Sequence, residues 1–337
     1  MKAIDTTFKY LVVFALLLIA SASTAQDKLR VGILMDNLAS DRWNIDAKLL
    51  QNRFDELGIE SSMKVANRSA DTQLEQAKAF VDAGMDILVV IPVDGRKAVD
   101  IVTFAHENNV KVVAYDRPIL DPNLDLYVAY DSYEVGQLMA KTALMNKPKG
   151  KYLLVNGPVA DFNGVQARNG QKSVLKEFVD RGDIEIMDDI VLDSWREMTA
   201  FLAMQNLQFD LSELDCIIAA SDHLAEGVID ALDGSGISGK VFVTGQDATT
   251  IGIENISKGV QHMTVLKPLP ALATKAVSLI SVMSKGMELN GVDQKSIGGF
   301  ELPTYTMKAP LVITADNHAG NEDLIVHQKL RDAVQVN

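Results

Sequence analysis

Cysteine is almost absent from this sequence, since Cys216 is the only one among 337 residues. A single cysteine cannot form a disulfide within its own chain, so internal covalent cross-links are excluded. The neighbours of Cys216 in "DCIIAAS" are apolar, which predicts a buried strand where the thiol packs as a small hydrophobic group.

Positive charge is also scarce. The chain has 32 Lys and Arg against 45 Asp and Glu, which gives a formal net charge of -13, and no block of basic residues offsets this excess. Such a chain repels polyanions, so nucleic acid is not expected among its partners.

No motif for a cofactor, a metal or a nucleophile is complete. The stretch "GSGISGK" at 234–240 imitates a phosphate-binding loop, but Val241 stands where Ser or Thr is needed and the stretch leads from helix into strand. The first strand-to-helix turn, "LMDNLASDRW", has no glycine, so the dinucleotide fingerprint is missing. The histidines lack metal-ligand spacing, and no G-x-S-x-G elbow occurs. We therefore expect no cofactor, no metal and no catalytic residue.

An apolar run long enough to cross a membrane is missing at the N-terminus. Residues 10–20 are apolar, which is too short for a hydrocarbon core of ~30 Å, and a membrane anchor is the less favoured interpretation. Two lysines precede this run, and "SASTAQ" follows it with Ser23 and Ala25 at the -3 and -1 positions. This layout predicts a signal peptide over 1–25, cleaved after Ala25, and an exported protein.

Beyond residue 26 the sequence alternates between short apolar runs and helical patterns. Runs such as "DILVVI" and "KVVAY" are apolar without alternation, which is typical of parallel strands covered on both faces. The pattern begins a second time near Asp131, so about ten strands fall into two series. We predict an α/β protein with two doubly wound parallel-sheet lobes, and a single large sheet is the alternative.

Polar residues follow nearly every predicted strand, in both series. The stretches concerned are "DNLASDRW", "PVDG", "DRP", "NGPVADFN", "DSW", "SDH", "GQDA" and "KP". Taken singly, each is best explained as a solvated loop or a helix cap. Ligands of open α/β sheets bind beyond the carboxyl ends of the strands, so the repetition predicts one polar crevice. Asp116 and Arg117 belong to one of these stretches. From the sequence they form a solvated turn, a structural ion pair, a catalytic couple or a ligand clamp, and these four interpretations are open at this point.

The two tryptophans support a crevice between the lobes. Trp43 and Trp195 each follow a predicted strand of a different series, and each has an arginine as sequence neighbour, Arg42 or Arg196. Core packing is the alternative for each tryptophan alone. A sugar ring has apolar faces that suit aromatic side chains, and its hydroxyls suit carboxylates and guanidinium groups.

The chain resembles the type I periplasmic sugar-binding proteins of ABC transporters, and within that family the xylose-binding members. The matching stretches are "DRW" (41–43), "IPVDG" (91–95), "AYDR" (114–117), "DSW" (193–195), "GQDA" (245–248) and "MTVLKP" (263–268). The resemblance implies two lobes joined by a three-strand hinge and closing around one monosaccharide. The implied N-terminal lobe is 27–130 plus about 267–300, the C-terminal lobe is 131–265 plus about 303–318, and 319–337 is a polar tail.

The resemblance also assigns roles to single residues. It implies that the sugar hydroxyls are bonded by Arg42, Asp116, Arg117, Asn163, Asp247 and Lys267. It implies that Trp43 and Trp195 cover the faces of the sugar, so the pair Asp116–Arg117 is interpreted as a ligand clamp. One departure is "ASDH", where Asp222 and His223 replace the usual Asn-Asp. If Asp222 binds the sugar, an acceptor replaces an amide, and a different hydroxyl orientation or another pentose or hexose is preferred.

The function implied is a non-catalytic periplasmic receptor for a monosaccharide, foremost D-xylose, that delivers its ligand to a membrane ABC permease. A monomer is expected. One alternative partner is a membrane sensor kinase or chemoreceptor. A sugar-responsive repressor shares the fold but needs a DNA-binding segment where the signal peptide stands. An enzyme on an α/β scaffold is the remaining alternative.

Overall fold

The computed structural model describes residues 28–308 and 310–335. In chain order, the strands of these residues are β1 (Arg30–Met35), β2 (Glu60–Val65), β3 (Ile87–Val90), β4 (Lys111–Tyr115), β5 (Leu126–Ala129), β6 (Gly150–Asn156), β7 (Ile184–Val191), β8 (Cys216–Ala219), β9 (Phe242–Val243), β10 (Met263–Leu266), β11 (Asp293–Ile297), β12 (Phe300–Thr306) and β13 (Leu311–Thr314). The helices are α1 (Asp41–Glu56), α2 (Ala70–Asp82), α3 (Val99–Glu107), α4 (Ser132–Asn146), α5 (Phe162–Asp180), α6 (Glu197–Gln205), α7 (Asp222–Gly234), α8 (Thr250–Lys258), α9 (Leu269–Met283) and α10 (Glu322–Gln335).

The first lobe is built on one sheet with the strand order β2-β1-β3-β4-β5-β12-β11. All neighbours are parallel except β11 and β12, which form an antiparallel pair. Strands β3 and β5 are buried at every position. Their continuous apolar sequence follows from this, because one core cluster lies on each face of the sheet.

The second lobe repeats the arrangement on a smaller scale. Its parallel sheet has the order β7-β6-β8-β9, and β10 pairs antiparallel with β13. The backbone N–H of His262, just before β10, donates to the carbonyl of Val243 in β9. Two core clusters again cover the two faces, and Cys216 is buried in one of them. The two-lobed α/β fold predicted from the sequence is confirmed.

The chain passes between the lobes three times. The passes are the short connections β5–α4, β10–α9 and β12–β13. Strand β12 stays in the first-lobe sheet as far as Thr306, paired with Ala129 of β5. The lobe boundaries given above remain a prediction at the level of single residues.

The predicted polar tail at 319–337 contains a packed helix, which corrects the sequence interpretation. Helix α10 buries Leu324, His327 and Arg331. Its other positions are mostly polar and exposed, so the apolar periodicity is too weak to identify a packed helix. Histidine and arginine are rarely fully buried in proteins, so the sequence does not indicate that His327 and Arg331 are buried.

The predicted signal peptide at 1–25 lies outside the described residues. Among residues 28–308 and 310–335, no helix combines the length and the apolar character that a membrane crossing requires. The P-loop-like stretch at 234–240 joins the end of α7 to the strand β9, so it is a helix-to-strand turn as predicted.

Candidate functional site

A cleft with a volume of about 530 Å³ lies between the lobes, at the carboxyl ends of the strands. Both lobes line it. The first lobe contributes residues that follow β1, β2, β3 and β4, and the second contributes residues that follow β6, β7, β8 and β9. Lys267, which follows β10, also lines the cleft. Eight of the nine predicted site residues line this cleft: Arg42, Trp43, Asp116, Arg117, Asn163, Trp195, Asp247 and Lys267.

Arg42 lies at the centre of a charge network. Helix α1 begins at Asp41, and its capping residue Ser40 places Arg42 in the first turn, over the end of the sheet. One guanidinium nitrogen pairs with Asp116, and another lies 3.2 Å from Oδ1 of Asp247. The ammonium group of Lys267 lies 3.0 Å from the same oxygen. Since Asp247 follows β9, this network links the two lobes.

The network keeps the cleft carboxylates ionised. Burial opposes the charge of Asp116, but Arg42 and Lys267 outweigh this effect, and the pKa of Asp116 is lowered. Burial likewise opposes the charge of Asp247, and its pKa is strongly lowered by Lys267 and Arg42. Both carboxylates are therefore fixed acceptors at neutral pH.

Asp46 supports Arg42 from below the cleft. It lies one helical turn after Arg42, it is fully buried, and its Oδ2 is 3.4 Å from Nε of Arg42. The hydroxyl of Tyr115 donates to Oδ1 of Asp46 at 2.5 Å. Burial raises the pKa of Asp46 to about 6, although Arg42 acts in the opposite direction. Asp46 was not predicted as a site residue, although its i+4 spacing from Arg42 was an available signal.

Asp116 and Arg117 are adjacent in sequence but bind different partners. Asp116 has a φ of 63°, and its carboxylate pairs with Arg42. The guanidinium of Arg117 pairs with Asp36 of the same lobe and with Asp161 of the other lobe, both at 2.8 Å. Asp36 and Asp161 were not selected from the sequence, although each lies in a polar stretch that follows a strand.

The two tryptophans line the same cavity. Trp43 is only 6% exposed, and the guanidinium carbons of Arg42 and Arg117 lie 4.7 and 5.0 Å from its ring centroid. These contacts are within cation–π range, so the ring stabilises both guanidinium groups. Trp195 is half-buried on the opposite lobe, and its Nε1 donates to Oδ2 of Asp161 at 3.1 Å.

Two glycines make room for the indole of Trp195. A Cβ atom at Gly157 would lie 2.4 Å from the ring, and one at Gly164 would lie 3.1 Å from it. Any larger residue at Gly157 would displace the ring. The glycines after β6 therefore determine how deeply Trp195 enters the cleft.

Asn163 joins the two lobes through the backbone of Asp116. Its Nδ2 donates to the carbonyl of Asp116 at 2.8 Å, and the hydroxyl of Tyr127 donates to the same carbonyl at 2.8 Å. The N-cap residue Asp161 accepts from the backbone N–H of Asn163 at 3.1 Å. The start of α5 is thereby fixed against the first lobe.

Asp222 does not reach the cleft, which corrects the prediction for this residue. Its side chain is fully buried and accepts hydrogen bonds from Thr249 at 2.7 and 3.1 Å and from Gln261 and Thr264 at 2.8 Å each. As the first residue of α7 it turns inward, and burial raises its pKa to about 6. Its neighbour His223 lines the cleft instead.

The resulting cavity offers fixed hydrogen-bonding groups on its rim and an indole on each lobe. Carboxylates accept, guanidinium and ammonium groups donate, and Asn163 does both. Ion pairs hold most of these groups in place before any ligand arrives. Such a set matches a small neutral molecule that carries several hydroxyl groups.

Comparison with known proteins agrees with this architecture. The family model described as periplasmic binding protein domain matches residues 31–288. The chain is 35% identical over 302 residues to the D-xylose-binding periplasmic protein of Escherichia coli (strain K12), which covers 89% of this chain and 91% of that protein. It is 33% identical over 310 residues to the D-xylose-binding periplasmic protein of Haemophilus influenzae, which covers 92% of each.

Solved structures agree on the fold. An ABC transporter solute-binding protein from Clostridium phytofermentans, with bound β-D-glucose, has a TM-score of 0.79 at 24% identity and covers 88% of this chain and 99% of its own. The family resemblance predicted from the sequence motifs is confirmed by these matches. This chain therefore belongs to the periplasmic binding protein family.

Proposed function

We propose that this protein is a non-catalytic periplasmic receptor that binds one monosaccharide in the interlobe cleft, with D-xylose as the preferred sugar. The observation that carries the proposal is the cavity between Trp43 and Trp195, rimmed by Asp116, Asp247 and Lys267. The names of the relatives that cover most of this chain support xylose as the sugar.

The walls of the cleft fit a pyranose in polarity and in shape. The indoles suit the C–H faces of the ring, while the ionised groups suit its hydroxyls. A hydrogen bond to a charged partner contributes roughly 1.5–3 kcal/mol, so several such bonds support micromolar or tighter binding after the cost of ordering.

Binding is coupled to closure of the lobes. The ion pairs Arg42–Asp247 and Arg117–Asp161 already connect the two walls of the cleft. A sugar that contacts both walls touches all of its partners only when the lobes meet, so it favours the closed state by differential contact. The closed monomer then delivers the sugar to a membrane ABC permease.

A calorimetric and thermal-shift screen over pentoses and hexoses tests the ligand class. We expect D-xylose to raise the melting temperature and to titrate with a single site. If no monosaccharide shifts the melting temperature, the proposed function is wrong. Chromatography and mass spectrometry after incubation with the bound sugar test the non-catalytic role, because turnover would appear as a changed retention time or a changed mass.

The delivery step is tested in cells. Deletion of the gene should abolish high-affinity uptake of labelled xylose and leave uptake of unrelated sugars unchanged. If uptake persists and only a xylose-dependent transcriptional or chemotactic response is lost, the partner is a membrane sensor rather than a permease.

A further inference from the structure

Arg331 of α10 is the largest fully buried side chain in the described part of the chain. Burial of a guanidinium group carries a large desolvation cost unless strong hydrogen bonds compensate for it. Arg331 is 1% exposed and is not among the residues that line the cleft. What Arg331 binds therefore indicates its role.

The guanidinium of Arg331 binds the backbone immediately beneath the cleft. Nη1 donates to the carbonyl of Ala248, and Nη2 donates to the carbonyl of Asp247 at 3.1 Å. Nη2 also lies 2.9 Å from Nε2 of His327, one turn earlier in the same helix. A single fork thus holds two successive carbonyls of the loop that follows β9.

These carbonyls belong to a backbone that L residues seldom adopt. Asp247 has a φ of 88° and Ala248 a φ of 46°, so two consecutive residues other than glycine lie in the left-handed region. Each such residue is strained and persists only where its surroundings fix it. On the other side of the loop, the N–H of Asp247 donates to Val265 at 2.8 Å and that of Ala248 donates to Thr264 at 3.1 Å.

This backbone conformation aims the Asp247 carboxylate at the cleft. Its Oδ1 lies 3.2 Å from Arg42 and 3.0 Å from Lys267. If φ of Asp247 took an ordinary negative value, its carboxylate would rotate away from both cations. A change in φ turns the side chain and the carbonyl together about the N–Cα bond. The aim of Asp247 therefore depends on the group that holds its carbonyl.

Helix α10 is well placed to fix the loop, since it packs on both lobes. Leu324 belongs to the small cluster that contains Ala248 and Leu266, while Leu330 packs against the first-lobe core that contains Trp43. The helix thus spans the seam behind the cleft and presents Arg331 to the loop from the rear.

We propose that Arg331 is a positioning residue of the sugar site: it holds residues 247 and 248 in the left-handed conformation and so presents the Asp247 carboxylate to the ligand. This inference rests on the proposed function for its binding readout. It assigns to α10 a role in ligand recognition, although no described side chain of α10 lines the cleft.

Three variants test the proposal. Arg331→Met removes both donors at similar volume, Arg331→Lys keeps a cation with one donor group, and Leu175→Ala is a control for lost stability in the core of the second lobe, away from the cleft. We expect Arg331→Met to weaken xylose binding roughly tenfold to a hundredfold, Arg331→Lys to give a smaller loss, and Leu175→Ala to bind as the wild type does.

A double-mutant cycle separates positioning from general destabilisation. If Arg331 acts through Asp247, the affinity losses of Arg331→Met and Asp247→Asn are strongly non-additive. Asp247→Asn removes the same carboxylate that Arg331→Met would move out of position, so the double variant loses little more than either single variant. Additive losses, or wild-type affinity in Arg331→Met, overturn the proposal. Where Arg331→Met fails to fold, Arg331→Lys is carried through the same cycle.

A crystal structure of the unliganded Arg331→Met or Arg331→Lys protein gives a readout without sugar. We expect φ of Asp247 to leave the left-handed region and its carboxylate to separate from Lys267. An unchanged loop overturns the positioning role whatever the ligand proves to be. Absence of sugar binding in the wild type instead overturns the proposed function alone.

Discussion

Asp116 pairs with Arg42, 74 residues earlier in the chain, and not with its sequence neighbour Arg117. The pair is part of the cleft wall and also a contact within the first lobe. Asp116→Asn should therefore weaken xylose binding by roughly a hundredfold, because a charged acceptor is lost and the aim of Arg42 is loosened. Calorimetry measures this loss. The matched control is Asp180→Asn, whose carboxylate forms an exposed pair with Lys176, and unchanged affinity is expected there.

Trp43 and Trp195 should respond differently to truncation. Trp195 is half-buried, so Trp195→Ala should mainly reduce affinity, and Trp195→Phe should restore part of it because an aromatic face remains. Trp43 belongs to the first-lobe core, so Trp43→Ala should also lower the free energy of unfolding by about 3–5 kcal/mol. Urea denaturation and calorimetry separate the two effects. Equal losses of stability in the two alanine variants would contradict this division.

Gly157→Ala should weaken sugar binding without any direct contact to the ligand. The added Cβ would lie 2.4 Å from the ring of Trp195, so the indole must move. We expect a loss of affinity close to that of Trp195→Ala, and no further loss when the two changes are combined. Gly182→Ala is a poor control because its φ is 75°, whereas Gly234→Ala meets open space and should bind normally.

Asp222→Ala should affect stability first. Four hydrogen bonds from Thr249, Gln261 and Thr264 converge on this buried carboxylate, and its loss leaves their donors without an acceptor. We expect the free energy of unfolding to fall by about 2–4 kcal/mol. If stability is unchanged while the sugar preference shifts, Asp222 contacts the ligand, contrary to its observed placement.

Asp46 should give stability a measurable pH dependence. Its pKa is raised from 3.8 to about 6, so between these values the folded protein binds a proton that the unfolded chain releases. The contribution of Asp46 is therefore fully present below about pH 3.8 and is lost as the pH rises to about 6. The free energy of unfolding of the wild type, minus that of Asp46→Asn, should fall by on the order of 3 kcal/mol over this window. Urea titrations measure this difference, and the control is Asp55→Asn, an exposed carboxyl of the same helix. A difference that rises with pH would contradict the shift.

The fold could be predicted from the sequence because buried parallel strands leave an unambiguous pattern. Strands β3 and β5 are continuous apolar runs, and the polar groups that follow the strands converge as expected. The place of β12 in the first-lobe sheet was not predicted, because its own sequence, "FELPTYT", carries proline and glutamate and does not indicate its partner β5. Its place in the sheet depends on a partner far away in sequence.

The site was predictable where a residue type itself indicates chemistry. Lys267 directly follows β10, and Arg42 and Trp43 stand at the start of the helix that follows β1, so these positions were expected at the carboxyl ends of the strands. The prediction for Asp222 was wrong because successive residues at the start of a helix point in different directions. Asp222 points into the interior, and His223 faces the cleft instead. Asp46 and Arg331 act from behind the cleft. The i+4 spacing from Arg42 was a signal for Asp46, whereas no local pattern distinguishes Arg331 from a surface charge.

Most of the second lobe lies, in chain order, between two neighbouring strands of the first-lobe sheet. Strand β5 finds its neighbour β12 only after the chain has passed through β6 to β10, with Tyr127 opposite Thr304. Until then one side of β5 is an unpaired edge, open to pairing with another chain. Contacts so distant in sequence make folding slow, so we expect the four-stranded sheet of the second lobe to consolidate first. Newly synthesised molecules should then be most prone to aggregate in the interval before β12 docks.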